Sequence, residues 1–274
     1  MTMGLAPRSA LFLPASNQRA IAKARSLAVD LILLDLEDAV KPADKLAARA
    51  GAVAAVAEGF GERSAAIRVN GEDSALYAED MAAVRASAAD MIVLPKVESA
   101  AAAAAAVRGS GKRLLAMIET PLGLLAAADI ARVPGVTGLI AGTNDLSVTL
   151  GTPAGDDRAG LVLALQMIVL AARAGGVWAL DGVFNRLDDP QALELQCGEG
   201  RRYGFDGKTL IHPNQVEIAN RAFGPSDAEL ADAHALVAAA TGGAERFEGR
   251  MVEAMHVDQA RALIARAQRG AGSA

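Results

Sequence analysis

The sequence predicts a (β/α)8 TIM barrel with a C-terminal helical extension, and three observations predict it. Its 274 residues suit one barrel of roughly 250 residues with a tail to spare. Eight short runs rich in Leu, Ile and Val recur along the chain with helical patterns between them, the alternation expected of a parallel sheet. The runs are almost continuously apolar, as parallel strands are when helices cover them outside and side chains pack within. An open doubly wound sheet is the alternative architecture.

The strand runs, in order, are Ser9–Pro14, Leu31–Leu36, Ala65–Val69, Met91–Leu94, Leu114–Ile118, Gly138–Ala141, Val177–Leu180 and Lys208–Ile211. Between the fourth and fifth, seven alanines from Ala100 to Ala106 lie ahead of Gly109 and Gly111 and read as a short, tightly packed barrel helix with a glycine stop. Asp189 followed by Pro190 offers an N-cap and a first-turn proline. Ser226 with Glu229 has the form of a capping box. The barrel is assigned to residues 1–215 and the extension to 216–274, with two helical patterns around a break at Gly242 and Gly243. This tail is placed either over the barrel or against a neighbouring subunit.

Composition removes several functional classes. The chain is 52% hydrophobic but only 3% aromatic, so alanine carries much of the core and the helices should pack closely on the sheet. Net charge is −5, with no block of like charges to grip nucleic acid or a membrane surface. The single cysteine, Cys197, cannot form an intrachain disulfide and reads as a buried thiol. The opening residues lack the charged start and long apolar stretch of a signal peptide, and no run approaches 18 apolar residues. The expected setting is the cytoplasm.

Barrel enzymes build their sites from the carboxyl ends of the strands, and the polar residues there are rich in charge. They comprise Asp35, Glu37 and Asp38 after the second run, Arg68 and Asn70 after the third, Lys96 and Glu98 after the fourth, and Glu119 after the fifth. Asp145 follows the sixth, Asp181 the seventh and His212 the eighth. Several carboxylates, few histidines and no cysteine cluster select a hard, oxygen-loving cation over zinc. Glu119 and Asp145, from adjacent strands, are the best metal pair, the alternative being buried carboxylates paired with barrel cations. Arg68 can bind a carboxylate or enolate-like oxygen through its planar fork, or form an ion pair with Glu37 or Asp38. Lys96 at a strand end admits Schiff-base chemistry with a keto acid. By alternation at least one of Asp35, Glu37 and Asp38 orients its neighbours instead of binding ligand, and His212 reads as structural or orienting.

In order along the chain, these residues resemble the citrate lyase β-subunit family, which includes malyl-CoA, citramalyl-CoA and citryl-thioester lyases. The resemblance is carried by Arg8 to Pro14 with Lys23, by Leu34 to Val40, by Arg68 to Asn70, and by Leu94 to Glu98. It continues through Ile118 to Thr120, Gly142 to Leu146, and Gly204 to Gln215. It implies a barrel that assembles into homotrimers or hexamers, with Mg2+ on Glu119 and Asp145 and Arg68 at the reacting carbonyl. It places Arg8, Arg19 and Lys23 as contacts for the nucleotide end of CoA, with Glu37, Lys96 and Arg68 binding substrate and Asp38 and Arg68 serving catalysis. In the lyases an aspartate from a neighbouring subunit's tail acts as acid or base. Here that stretch reads Met251, Val252, Glu253, Ala254, Met255, so Glu253 takes the role on a longer arm.

The implied reaction is Mg2+-dependent cleavage of a β-hydroxyacyl thioester, on CoA or a carrier protein, into a keto acid and an acetyl thioester. Class II pyruvate aldolase chemistry, thioester hydrolysis, and a non-catalytic thioester-binding subunit are the alternatives.

Overall fold

A computed structural model describes residues 5–153, 157–241, 243–247 and 249–271. Eight parallel strands close into a barrel in chain order. They are β1 (Ser9–Pro14), β2 (Leu31–Asp35), β3 (Ser64–Arg68), β4 (Met91–Leu94), β5 (Arg113–Ile118), β6 (Val136–Ala141), β7 (Trp178–Asp181) and β8 (Gly207–Leu210). Each lies within two residues of its expected run, because an apolar run bounded by turn residues marks a buried parallel strand well.

The barrel helices are α1 (Gln18–Ala24), α2 (Lys45–Glu58), α3 (Tyr77–Ala86), α4 (Ala100–Ser110), α5 (Pro121–Ala131), α6 (Thr143–Leu150), α7 (Val162–Gly175), α8 (Pro190–Tyr203) and α9 (Val216–Phe223). The alanine run forms α4, started by the Ser99 side chain, which accepts from the Ala102 N–H, and stopped at left-handed Gly111. Asp189 caps α8 as expected. Two helices, α6 and α7, join β6 to β7, and the short α6 carries Asp145 to the rim.

Period-two alternation divides the strand residues between two cores. Ala10, Phe12, Leu31, Leu33, Ala66, Met91, Val93, Leu115, Met117, Ile140 and Leu180 fill the barrel interior. Their neighbours face outward and meet the helices, where Ala48, Ala52, Ala103 and Ala106 let α2 and α4 sit close to the sheet. Counting on in twos, Leu33 leads to Asp35, Ala66 to Arg68 and Met117 to Glu119, so the layer above the apolar interior is charged.

The eighth barrel helix, α9, comes from the first residues of the expected extension: its Val216, Ala219 and Phe223 belong to the outer barrel core. The remaining tail comprises α10 (Asp227–Ala239), the hairpin strands β9 (Glu245–Phe247) and β10 (Arg250–Val252), and α11 (Ala254–Ala271). The two helical patterns are present, and α10 has both halves of its capping box. The hairpin between them is additional; of the expected break, Gly242 lies outside the described residues. Ala233, Leu236, Val252 and Ala260 give the tail a small core of its own. Arg266 donates from Nε to the Phe223 carbonyl at 3.0 Å and from Nη2 to that of Asp206, just ahead of β8. The tail therefore docks on the amino end of the barrel.

Candidate active site

A cavity of about 280 Å3 opens at the carboxyl end, lined by Asp35, Asp38, Arg68, Glu119, Asp145 and Asn185 among others, over Phe12, Met117 and Ile140. Asp35 and Arg68 are register partners on β2 and β3. Arg68 donates from Nε and Nη2 to the two oxygens of Asp35, both at 2.6 Å. Asp35 also accepts from the N–H groups of Glu37 and Ala39, so one buried carboxylate shapes the β2–α2 loop and aims the guanidinium. That guanidinium stacks 4.9 Å above the Phe12 ring. The orienting member of the acidic cluster is thus Asp35.

Glu37 sits behind this pair. Its Oε2 lies 2.8 Å from Arg68 Nη1, close enough for charge but out of line for a hydrogen bond, and that buried oxygen has no hydrogen-bond partner. Burial pushes the carboxyl up to about 7; Arg68 opposes the rise, while Asp38, Glu119 and Asp35 add to it. Asp38 is 71% exposed and 3.6 Å from Arg68 Nη1, facing the cavity. Lys45 Nζ donates to the carbonyls of Leu36 and Glu37 and to Asn70 Oδ1, each at 2.7 Å, and pins the loop from below.

Glu119 rises from β5 and lies across Gly142, where a Cβ would come within 2.3 Å of the Glu119 Cβ. Its Oε1 accepts from the Lys96 N–H at 2.7 Å. Burial raises its pKa to about 7, the Lys96 hydrogen bond works against the rise, and Asp145 adds to it. Asp145 stands in the first turn of α6, with Lys96 Nζ 3.6 Å from its Oδ2. Two hard oxygen donors with a positive charge already drawn to them suit a small divalent cation, and Glu119 and Asp145 are the residues that could hold it. Among the described residues no group of three or more His, Cys, Asp or Glu side chains converges, so water and substrate would complete the shell.

Other expected positions fall elsewhere. Arg8 precedes β1 at the amino end, where Nε and Nη2 grip both oxygens of Asp30 at 2.9 Å. Its chain position and its committed fork separate it from the cavity. Arg19, in the first turn of α1, is exposed near the carboxyl end, while exposed Lys23 lies a turn further away. Asp181 turns outward to Lys208 and Arg158, Asn70 pairs with Asp80, and Glu98 is exposed. His212 closes a local turn with Asn214. Glu253 is in the tail, between β10 and α11, and does not line the cavity of its own chain.

The sequence reading gave no role to Phe12, Asn185 and Thr209, all in the lining, and saw Asn144 only as part of the segment leading to Asp145. Alternation from Ala10 could have found Phe12. Asn185 comes from a loop between β7 and α8 that carries no strand signal, and its Nδ2 donates to Asn144 Oδ1 at 2.8 Å.

A closed parallel barrel with paired carboxylates and a locked arginine at its carboxyl mouth defines the class: TIM-barrel proteins with an acidic, cation-ready cavity. The chain belongs to the HpcH/HpaI aldolase/citrate lyase family, whose model matches residues 8–213. A second model, C-C bond lyase of the TIM-barrel fold, matches residues 164–269. A (3S)-malyl-CoA thioesterase from Cereibacter sphaeroides is 44% identical over 271 residues, covering 95% of this chain and 94% of the relative. A citrate lyase subunit beta-like protein from Deinococcus radiodurans is 34% identical, covering 94% and 96%. Among solved structures, the CitE protein of Mycobacterium tuberculosis in complex with magnesium, acetoacetate and coenzyme A superposes with a TM-score of 0.81 at 33% identity, covering 97% of this chain and 99% of that one. No described helix is long and apolar enough to cross a membrane.

Proposed function

We propose that this chain is a magnesium-dependent enzyme that hydrolyses a β-hydroxyacyl-CoA of the malyl type. Its support is near full-length similarity, at 44% identity, to a malyl-CoA thioesterase, combined with a cavity that pairs a carboxylate facing solvent, Asp38, with Arg68. Magnesium held by Glu119 and Asp145 would supply a positive anchor for the carboxylate and hydroxyl end of the substrate.

The chain's own groups then divide the remaining work. The Arg68 hydrogens that Asp35 leaves free on Nη1 and Nη2 donate to the thioester oxygen, where negative charge develops. Asp38 accepts a proton as water attacks the acyl carbon. When the carbonyl re-forms, the carbon–sulfur bond breaks and Asp38 returns the proton to the departing thiolate. The products are a hydroxy diacid and free CoA. Arg19, at the carboxyl end, is the better placed of the basic candidates for the CoA phosphates.

Carbon–carbon cleavage is the second reading, favoured by the match to the C-C bond lyase model. It requires an acid to protonate the acetyl-thioester enolate. Because the tail docks on the amino end, Glu253 would serve the cavity of another copy in a homotrimer or hexamer.

Malyl-, citramalyl- and citryl-CoA incubated with the protein in Mg2+ or EDTA, with keto acid and free thiol followed separately, test both readings. Metal-dependent thiol release without keto acid is the expected result. Keto acid without thiol would replace hydrolysis by cleavage, and no turnover of any of the three would overturn both.

A further inference from the structure

The cations that stand among carboxylates near the carboxyl end differ in how firmly they are held. Arg68 is 9% exposed and gripped by Asp35 along one edge through two bonds of 2.6 Å. Lys208 is fully buried and donates to Asp181, Gly182 and Gln196. Lys96 is 50% exposed, and its Nζ rests 3.6 Å from Asp145, beyond hydrogen-bond length. It can move away at little cost. Burial lowers its affinity for the proton, but Asp145, Glu37, Glu119 and Asp38 together outweigh this, so the ammonium sits in the field of four carboxylates.

Its backbone points the same way. Lys96 has φ of +50°, the one described non-glycine residue with positive φ, a conformation that costs an L-residue on the order of 1 kcal/mol and that glycine adopts freely. The turn aims its N–H at Glu119 Oε1. Glycine would make that bond without strain, so the backbone contact alone does not account for a lysine here; the ammonium beside Asp145 does.

We propose that the Lys96 ammonium is a built-in counter-ion of the metal site, standing beside Asp145 until a divalent cation displaces it and so setting the affinity for that cation. The proposal rests on the reading of Glu119 and Asp145 as the metal ligands. Without metal, the ammonium offsets repulsion between the two carboxylates; with metal bound, its charge opposes the ion, weakened by solvent because the side chain is half exposed.

The test is calorimetric titration of the full-length protein with Mg2+, without substrate, alongside thermal melting in EDTA and in saturating Mg2+. Lys96→Met should bind Mg2+ on the order of fivefold more tightly than the wild type, melt lower in EDTA and rejoin the wild type in Mg2+. Lys96→Gly should show the same gain in affinity with the backbone relaxed, and Lys96→Arg should keep wild-type affinity. Unchanged or weaker Mg2+ binding by both neutral variants would overturn the proposal. Glu119→Gln separates the two levels: loss of Mg2+ binding supports the ligand assignment, and undiminished binding removes the assignment and the proposal with it.

Discussion

Glu119 owes its position to what Gly142 lacks. With φ of −86° at Gly142, alanine would meet no backbone strain there, so its cost is the clash of the new Cβ with Glu119. Gly142→Ala should lower Mg2+ affinity and turnover at least tenfold while costing about 1–3 kcal/mol of stability, measured by metal titration beside urea unfolding. The two raised carboxyls predict a pH signature. Glu37 and Glu119 rise from 4.5 to about 7 on folding, so the folded chain binds protons more tightly than the unfolded one across that interval. Without metal their contribution to stability must fall as pH rises from 4.5 to 7, by up to about 3 kcal/mol for each group. Glu37→Gln should flatten the fall in melting temperature across this window in EDTA. Because ligands bind metal deprotonated, Mg2+ binding should strengthen as pH rises through 7 and release protons, readable by calorimetry in buffers of different ionisation enthalpy.

At the scale of elements, β7 and β8 are joined to α8 by a buried charge network on the helix side of the barrel, anchoring the loop from which Val183 and Asn185 reach the cavity. Asp181 accepts from Arg158 and Lys208, Arg158 reaches on to Glu199, and Lys208 donates to the Gly182 carbonyl. Lys208→Met would leave the Gly182 carbonyl, Gln196 Oε1 and one Asp181 oxygen short of a donor, and should destabilise the fold by about 3–5 kcal/mol in urea unfolding. Lys208 also shows where the sequence becomes hard to read. The eight strands were legible because each is a short apolar run, Glu119 because it follows its run directly, and Asp145 because it is the one charge in the short turn after the sixth. Asp181 follows its strand in the same way yet faces outward, since the count in twos from Leu180 puts it on the helix side. Asn185 lies in a loop whose path depends on tertiary contacts with Asn144 and on the anchored Gly182. A list of carboxyl-end polar residues therefore needs the register of each strand before it becomes a site.

For the whole molecule, the tail docks on the amino end of the barrel and leaves Glu253 outside the cavity of its own chain. The two tail helices were legible from their periodicity and the capping box, but the hairpin of Glu245–Phe247 and Arg250–Val252 was not, because three-residue strands give too short a pattern to count. Its docking on the amino end was equally hidden, resting on single contacts such as Arg266 with the carbonyls of Asp206 and Phe223. If Glu253 acts, it acts in a neighbour. Glu253→Gln and Arg68→Lys, each inactive alone, should then recover part of the activity when mixed and allowed to exchange subunits, assayed on the substrate identified by the cleavage panel. Absence of recovery after verified exchange would overturn the placement of Glu253 in a neighbour's cavity.

The clamp of Asp35 on Arg68 has a consequence for how the cavity meets its ligand. A guanidinium on a free side chain searches many rotamers, and a ligand that captures it must bear that loss of freedom on binding. Here one edge of the fork, Nε with Nη2, is bonded to both oxygens of Asp35 and one face rests on Phe12, so the search ended when the chain folded. The hydrogens left over form a fixed template with a set spacing and plane, and a ligand is selected by how well its oxygens match that template on arrival.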